Sequence, residues 1–114
     1  MGLGFDLSKI EGFEWDGGNL GHIEQHLVDY RECEEVFLNK PIVITKDETH
    51  SQIEDRLRVY GQTNKKRLLF IIFTIRVNKI RVISARNQNR KERKELQERG
   101  GVKIYERIKT DTSI

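Results

Sequence analysis

The longest unbroken apolar run, Leu68 to Phe73, is rich in β-branched and aromatic residues and too short to cross a membrane, so it predicts a strand buried on both faces. Asn78-Lys79 offers a tight reversal, and Ile80 to Ala85 is expected to pair back along that strand. Upstream the spacing changes. Phe13 and Trp15 flank Glu14 as in a short strand, Asp16-Gly17-Gly18 closes it, and Asn19 is expected to cap a helix whose Leu20, Ile23 and Leu27 form one narrow stripe. Asp29 with Glu32 predicts a capping box for a second helix, Val28 a staple onto Cys33, and Tyr30, Cys33, Val36 and Phe37 its buried side. Pro41 stops that helix near Asn39.

Ile42 to Thr45 reads as a strand, and 47–55 as a polar connection. Arg56 to Thr63 reads as a strand with Leu57 and Val59 inside and Arg56 and Arg58 on a wet face, followed by a turn at Asn64-Lys65-Lys66. Asn89 to Arg99 has helical propensity, but Leu96 is its one large apolar residue, so weak docking is expected. Gly100-Gly101 breaks it, and the charged tail to Ile114 is expected to be disordered rather than an edge strand. The order β-α-α-β-β-β-β-α describes an α+β fold, two N-terminal helices packing an antiparallel sheet with a C-terminal helix to follow. A single domain is expected over 1–114, with 1–9 a loose lead-in, 10–99 the core and 100–114 the tail.

Charge refines this picture. The formal total of +3 hides a split: Met1 to Lys40 holds nine acids against three bases, and Pro41 to Ile114 holds 18 bases against nine acids. Two electrostatic surfaces are therefore expected, the basic one suited to nucleic acid or to an acidic protein. One cysteine excludes an internal disulfide, no apolar stretch near Met1 resembles a secretory signal, and Asp6 breaks the myristoylation pattern that Met1-Gly2 begins. A cytoplasmic protein without a membrane anchor is the expectation.

The chain has neither a phosphate-binding glycine loop nor a nucleophile elbow. His22 and His26 share a helical face, and with His50 or Cys33 could in principle chelate zinc, but a structural histidine is commoner there and no metal or cofactor is expected. Arg67, Arg76, Arg81 and Arg86 frame the central hairpin, either as phosphate ligands or as solvated strand ends. A metal-free ribonuclease needs a base for the 2′-hydroxyl, an acid for the leaving 5′-oxygen and cations for the phosphorus oxygens. His50, Glu54, Arg56, Arg81 and Arg86 supply those residue types, although passive RNA binding or an acidic partner would use the same arginines.

Longer motifs narrow the choice. Phe13-Glu14-Trp15-Asp16, then Asn19 and His26, then Asp29 with Glu34-Glu35-Val36-Phe37, lead to Asp47-x-x-His50-Ser51-x-x-Glu54-x-Arg56. Gly61, Leu68-Leu69, Phe73-Thr74 and Arg76 follow, then Ile80-Arg81-Val82-Ile83-Ser84-Ala85-Arg86 and finally Arg90, Glu92 and Arg93. In this order they resemble the BrnT family of toxins from bacterial type II toxin–antitoxin pairs. The resemblance implies a RelE-like ribonuclease fold and a growth-inhibiting endoribonuclease acting on mRNA. It also implies a BrnA-like ribbon-helix-helix antitoxin that represses the shared operon, with a toxin–antitoxin complex on operator DNA. In that reading Arg81 and Arg86 stabilise the phosphate, His50 or His26 handles a proton, Glu54 orients its neighbour, and Arg56, Arg76, Arg90 and Arg93 contact RNA. The sequence departs from many relatives at Leu96, where they place tyrosine, and at Gln25-His26-Leu27, where they often carry Lys-His-Gly. A catalytically weak or inactive protein that binds antitoxin or RNA is the alternative.

Overall fold

The computed structural model describes residues 9–39, 43–46 and 55–98; the connection carrying His50 and Glu54 and the tail after Gly100 lie outside them. The elements are β1 (Gly12–Phe13), α1 (Gly17–Glu24), α2 (Tyr30–Leu38), β2 (Val43–Lys46), β3 (Leu57–Gln62), β4 (Leu68–Arg76), β5 (Lys79–Asn87) and α3 (Arg90–Glu98), the order read from the sequence. They form one sheet in the order β1-β5-β4-β3-β2, so the doubly apolar β4 is central. All pairings are antiparallel except the short parallel one of β1 with β5.

One face of the sheet holds the core. Ile44, Leu57, Val59, Leu69, Ile71, Phe73, Ile80, Val82 and Ala85 cluster with Ile23 of α1, Cys33 and Val36 of α2, and Val28 between the helices. Phe37 meets Phe73 edge-on at 4.9 Å and Phe13 at 5.7 Å, geometries that add to the area buried. The opposite face carries two cross-strand rows: Val43, Tyr60, Phe70 and Arg86, then Thr45, Arg58, Ile72 and Ser84. Between the pairs Ile72–Ser84 and Phe73–Val82, Ile83 has no partner. This bulge resets the alternation of β5, so that Ile80, Val82 and Ala85 all face the core while Arg81 and Arg86 both leave it.

The start of α1 differs from expectation. Asp16, not Asn19, is the cap: its Oδ1 accepts from the Gly18 and Asn19 N–H groups, and Asn19 Oδ1 accepts from the Asp16 N–H at 2.8 Å. Asn19 is buried inside the first turn, where its Nδ2 donates to the carbonyls of Glu14 and Val82, both at 3.0 Å. A buried carbonyl on β5 needs a donor, and that requirement outweighs Asn19's own preference for a cap. The second helix follows its expected box, Asp29 accepting from Arg31 N–H and Glu32 from Asp29 N–H.

Leu27 also departs from its expected stripe. The helix ends at Glu24, the Val28 N–H closes back on the Ile23 carbonyl, and Leu27 takes φ 60 with its side chain 84% exposed. The hairpin tip is Val77-Asn78, one residue earlier than expected, with φ 49 and 63, the left-handed pair that fits a two-residue turn to the strand twist.

Two stability predictions follow from these positions. Leu27→Gly removes left-handed strain from a side chain that buries almost nothing, so it should stabilise by about 0.5 to 1 kcal/mol, seen as a rise in Tm. An unchanged or lower Tm would show that Leu27 makes a compensating contact. Asn19→Ala should cost about 2 to 3 kcal/mol in chemical denaturation, because it strips the donor from a buried carbonyl. A cost below about 0.5 kcal/mol would mean that water replaces the amide.

Candidate active cleft under the last helix

The C-terminal helix is placed by polar ties. Gln88, nearly buried, donates from its backbone to Leu68 O and from its side chain to Leu69 O, which fixes the exit of β5. Asn89 then caps α3 in a reciprocal box, accepting from the Glu92 N–H at 2.8 Å and donating to Glu92 Oε1 at 2.9 Å. Arg93 reaches back to the Gln88 carbonyl at 2.7 Å. Glu92 is thereby aimed at the sheet, where Arg86 meets it with both terminal nitrogens, at 3.0 and 2.9 Å. The Arg86 guanidinium lies 4.3 Å from the centre of the Phe70 ring, a cation–π contact that helps hold the fork over the strand.

Between α3 and the second sheet face is a cleft of about 150 Å³, lined by Val43, Thr45, Arg58 and Tyr60 from below and by Glu92, Glu95 and Leu96 from above. Its electrostatics are mixed. Burial raises the Glu92 carboxyl, but the hydrogen bonds from Arg86 and the Asn89 N–H, with the nearby charges of Arg86 and Arg58, outweigh it and leave Glu92 below the ordinary value of 4.5. Tyr60 is pushed above its ordinary value, first by burial, and stays protonated. Two buried polar atoms in the lining, Thr45 Oγ1 and Arg58 Nε, have no hydrogen-bond partner among the described residues; the Arg58 Nη2 donates to the Lys46 carbonyl at 3.2 Å.

The arginines of the hairpin have separate surroundings. Arg81 shares the outward side with Arg86 but pairs with Asp16 at 2.9 and 3.3 Å and with Glu14 at 3.4 Å, tying the α1 cap to β5. That hydrogen bond, with those from the Asn19 and Gly18 N–H groups, holds the Asp16 carboxyl below its usual range. Arg67 donates to Glu32 at 2.8 Å, Asn87 at 2.8 Å and the Leu27 carbonyl at 2.9 Å, and so anchors the turn between the first two helices. Acidic residues from the first part of the chain thus neutralise basic ones from the second within the molecule, which the charge split alone does not reveal.

Arg56 immediately precedes β3 in phase with Arg58 and Tyr60, Arg76 is exposed at the end of β4, and Arg90 and Arg93 are exposed on α3. His26 is exposed in the turn after α1, on the helix-covered side of the sheet, its ring 6.3 Å from that of His22. The fold therefore does not bring His26 to Arg86. His50 and Glu54 lie outside the described residues. Among the described residues no group of three or more His, Cys, Asp or Glu is placed to hold a metal ion. Burial pushes the Cys33 thiol up to about 12, so it is an inert core group, as its helical neighbours suggested.

Thr45, Tyr60, Glu92 and Glu95 were not singled out by their residue types. The alternation of Arg58 and Tyr60 with Leu57 and Val59 marks their shared face; the helix that roofs that face is set by Gln88, Asn89 and Glu92, whose pattern is not hydrophobic.

Residues 15–92 match the family of the ribonuclease toxin BrnT of type II toxin–antitoxin systems. That span is more than half of the chain and includes every strand after β1 and the residues Arg58, Tyr60, Arg86 and Glu92. The chain belongs to the BrnT ribonuclease toxin family, and a type II toxin implies a cognate antitoxin. No individual curated protein matches the chain. Among the described residues, no helix is long and apolar enough to cross a membrane.

The Arg86–Glu92 pair generates a pH prediction. A carboxyl whose folded pKa is depressed contributes stability that is fully present above its unfolded value and is lost as pH falls through the folded one. Glu92→Gln should therefore lower Tm at neutral pH, and the gap from wild type should close as pH falls from about 6 to about 3. A gap that persists at the acid end would show that packing, not charge, holds Glu92.

Proposed function

We propose that this chain is an mRNA-directed endoribonuclease acting in the cytoplasm, with its reaction centre at the Arg86 end of the cleft. The observation that carries this reading is the two-point Arg86–Glu92 pair, its guanidinium over the Phe70 ring, in a member of a ribonuclease toxin family. A guanidinium fork that accepts a carboxylate in this manner also matches two phosphate oxygens. A scissile phosphate that takes the place of Glu92 on Arg86 frees the carboxylate beside it. In this scheme Glu92 accepts the 2′-hydroxyl proton, the 2′-oxygen attacks phosphorus, and Arg86 balances the charge gathering on the non-bridging oxygens. The 5′-oxygen leaves with a proton from an acid for which His50, oriented by Glu54, is the candidate. The charges this requires are supplied by side chains, so the reaction is proposed to need no metal.

Arg56, Arg76, Arg90 and Arg93 are assigned to RNA backbone contacts, and His26 has no role in this scheme. Arg81 is assigned to positioning, through Asp16. The antitoxin is proposed to be a ribbon-helix-helix protein that covers α3 and the Ile80–Arg86 segment and carries the pair to operator DNA. A binding-only protein is the second reading, favoured by the carboxylates that already occupy both Arg81 and Arg86.

Purified chain incubated with RNA decides between the two. Fragments ending in a 2′,3′-cyclic phosphate or 3′-phosphate, formed equally with EDTA, are expected, and Arg86→Lys should slow their formation by at least about 100-fold at unchanged fold. Fragments with 3′-hydroxyl ends, or cleavage abolished by EDTA, would reject this mechanism. RNA retention without cleavage would establish the binding-only reading.

A further inference from the structure

The inner end of the cleft has a composition that phosphate chemistry does not use. Thr45 and Arg58 are cross-strand partners on β2 and β3, one row from Val43 and Tyr60. Thr45 Oγ1 and Arg58 Nε are each buried and, among the described residues, unsatisfied, an arrangement that ordinarily costs free energy and that a complementary ligand would relieve. Above them are the apolar Leu96 and the exposed carboxylate of Glu95 on the rim. The Tyr60 ring forms one wall and is itself supported by Phe70, the centroids 5.1 Å apart. The space, about 150 Å³, is well below the roughly 300 to 1,000 Å³ of a drug-sized pocket and suits one flat ring system.

We infer that this inner end seats a nucleobase of the RNA, guanine in preference to the others, with Tyr60 as its stacking wall. The inference rests on the placement of the scissile phosphate at Arg86. Two strand spacings, about 10 Å, separate β5 from β3, the scale on which one nucleotide carries its base away from its phosphate. A planar base between an aromatic ring and an aliphatic side chain is the usual mode of single-stranded RNA recognition. The polar groups then select the base. The unpaired Arg58 Nε–H donates to an acceptor edge such as guanine O6 or N7, and the Glu95 carboxylate accepts from the adjacent N1–H and N2 amino group. Thr45 Oγ1 serves either role. Adenine lacks the N1–H and the O6 acceptor, and each pyrimidine offers a smaller ring to the wall.

Two measurements on the full chain test this. Binding of the four nucleoside 3′-monophosphates needs no catalysis: 3′-GMP should bind at least tenfold more tightly than 3′-AMP, 3′-CMP and 3′-UMP. Thr45→Val and Arg58→Lys, checked for native folding by circular dichroism, should each erase that preference. Cleavage of the dinucleotides GpU, ApU, CpU and UpU should rank the same way, with GpU falling toward the others in both variants. Equal binding of all four nucleotides, or a guanine preference unmoved by both variants, overturns the nucleobase site. Selective 3′-GMP binding without cleavage of any dinucleotide or RNA would keep the pocket and reject the ribonuclease reading. Cleavage without base preference would do the reverse.

Discussion

A strand that is apolar on both sides must be covered twice, and β4 imposes that constraint on everything around it. Leu69, Ile71 and Phe73 are sealed by the first two helices in the ordinary hydrophobic way. Phe70, Ile72 and Thr74 face the other way, where α3 is the one helix among the described residues. Leu96 alone provides that helix with substantial apolar surface, so hydrogen bonds and an ion pair substitute for burial: Gln88 at the joint, Asn89 at the cap and Glu92 on Arg86. Coverage of this kind is incomplete. The unfilled part is the cleft, and the residues left beneath it are polar enough to recognise a ligand.

The same economy explains why a basic protein presents so few bare cations along its hairpin. Arg67, Arg81 and Arg86 are each held by carboxylates, three of which, Glu14, Asp16 and Glu32, come from the acidic N-terminal part of the chain. Such partly exposed pairs contribute little net stability, but they fix where each guanidinium points. The carboxylate on Arg86, Glu92, also lines the cleft, whereas Asp16 and Glu14 on Arg81 do not, which distinguishes the two arginines despite their similar setting in the motif.

The succession of elements, the two N-terminal helices and the doubly buried β4 were legible because hydrophobic spacing records burial directly, whereas the place of β1 beside β5 was not. Leu57 and Val59 against Arg56 and Arg58 gave the two faces of β3, although the face read as open to water lies under α3. Asn19 was misread because a residue suited to capping is equally suited to satisfying a buried carbonyl, and Val82, which lies 63 positions away, supplies that demand. Leu27 was misread because a helix stripe was continued past the point where the backbone turns left-handed. Glycine would take that left-handed position without the strain that leucine bears. Arg86 was legible as a candidate, whereas Glu92 was not, since a glutamate in the first turn of a helix ordinarily signals nothing beyond a cap.

The unpaired Ile83 has a consequence for descent as well as for geometry. Residues 80, 82, 84 and 86 would all project to one side of a regular strand, so the arginine at 86 faces the cleft only because one extra residue shifts the phase after Val82. Core and site on β5 are thus written in two different reading phases of the same strand. A lineage that lost Ile83 would keep Ala85 inside and Arg86 outside in plain alternation, whereas one that kept the residue but drew it into regular pairing would turn the arginine into the hydrophobic interior and the alanine outward together. Losing one residue here therefore keeps both the core and the cleft, whereas adding one to a regularly paired strand would exchange them, so this short segment tolerates shortening better than lengthening.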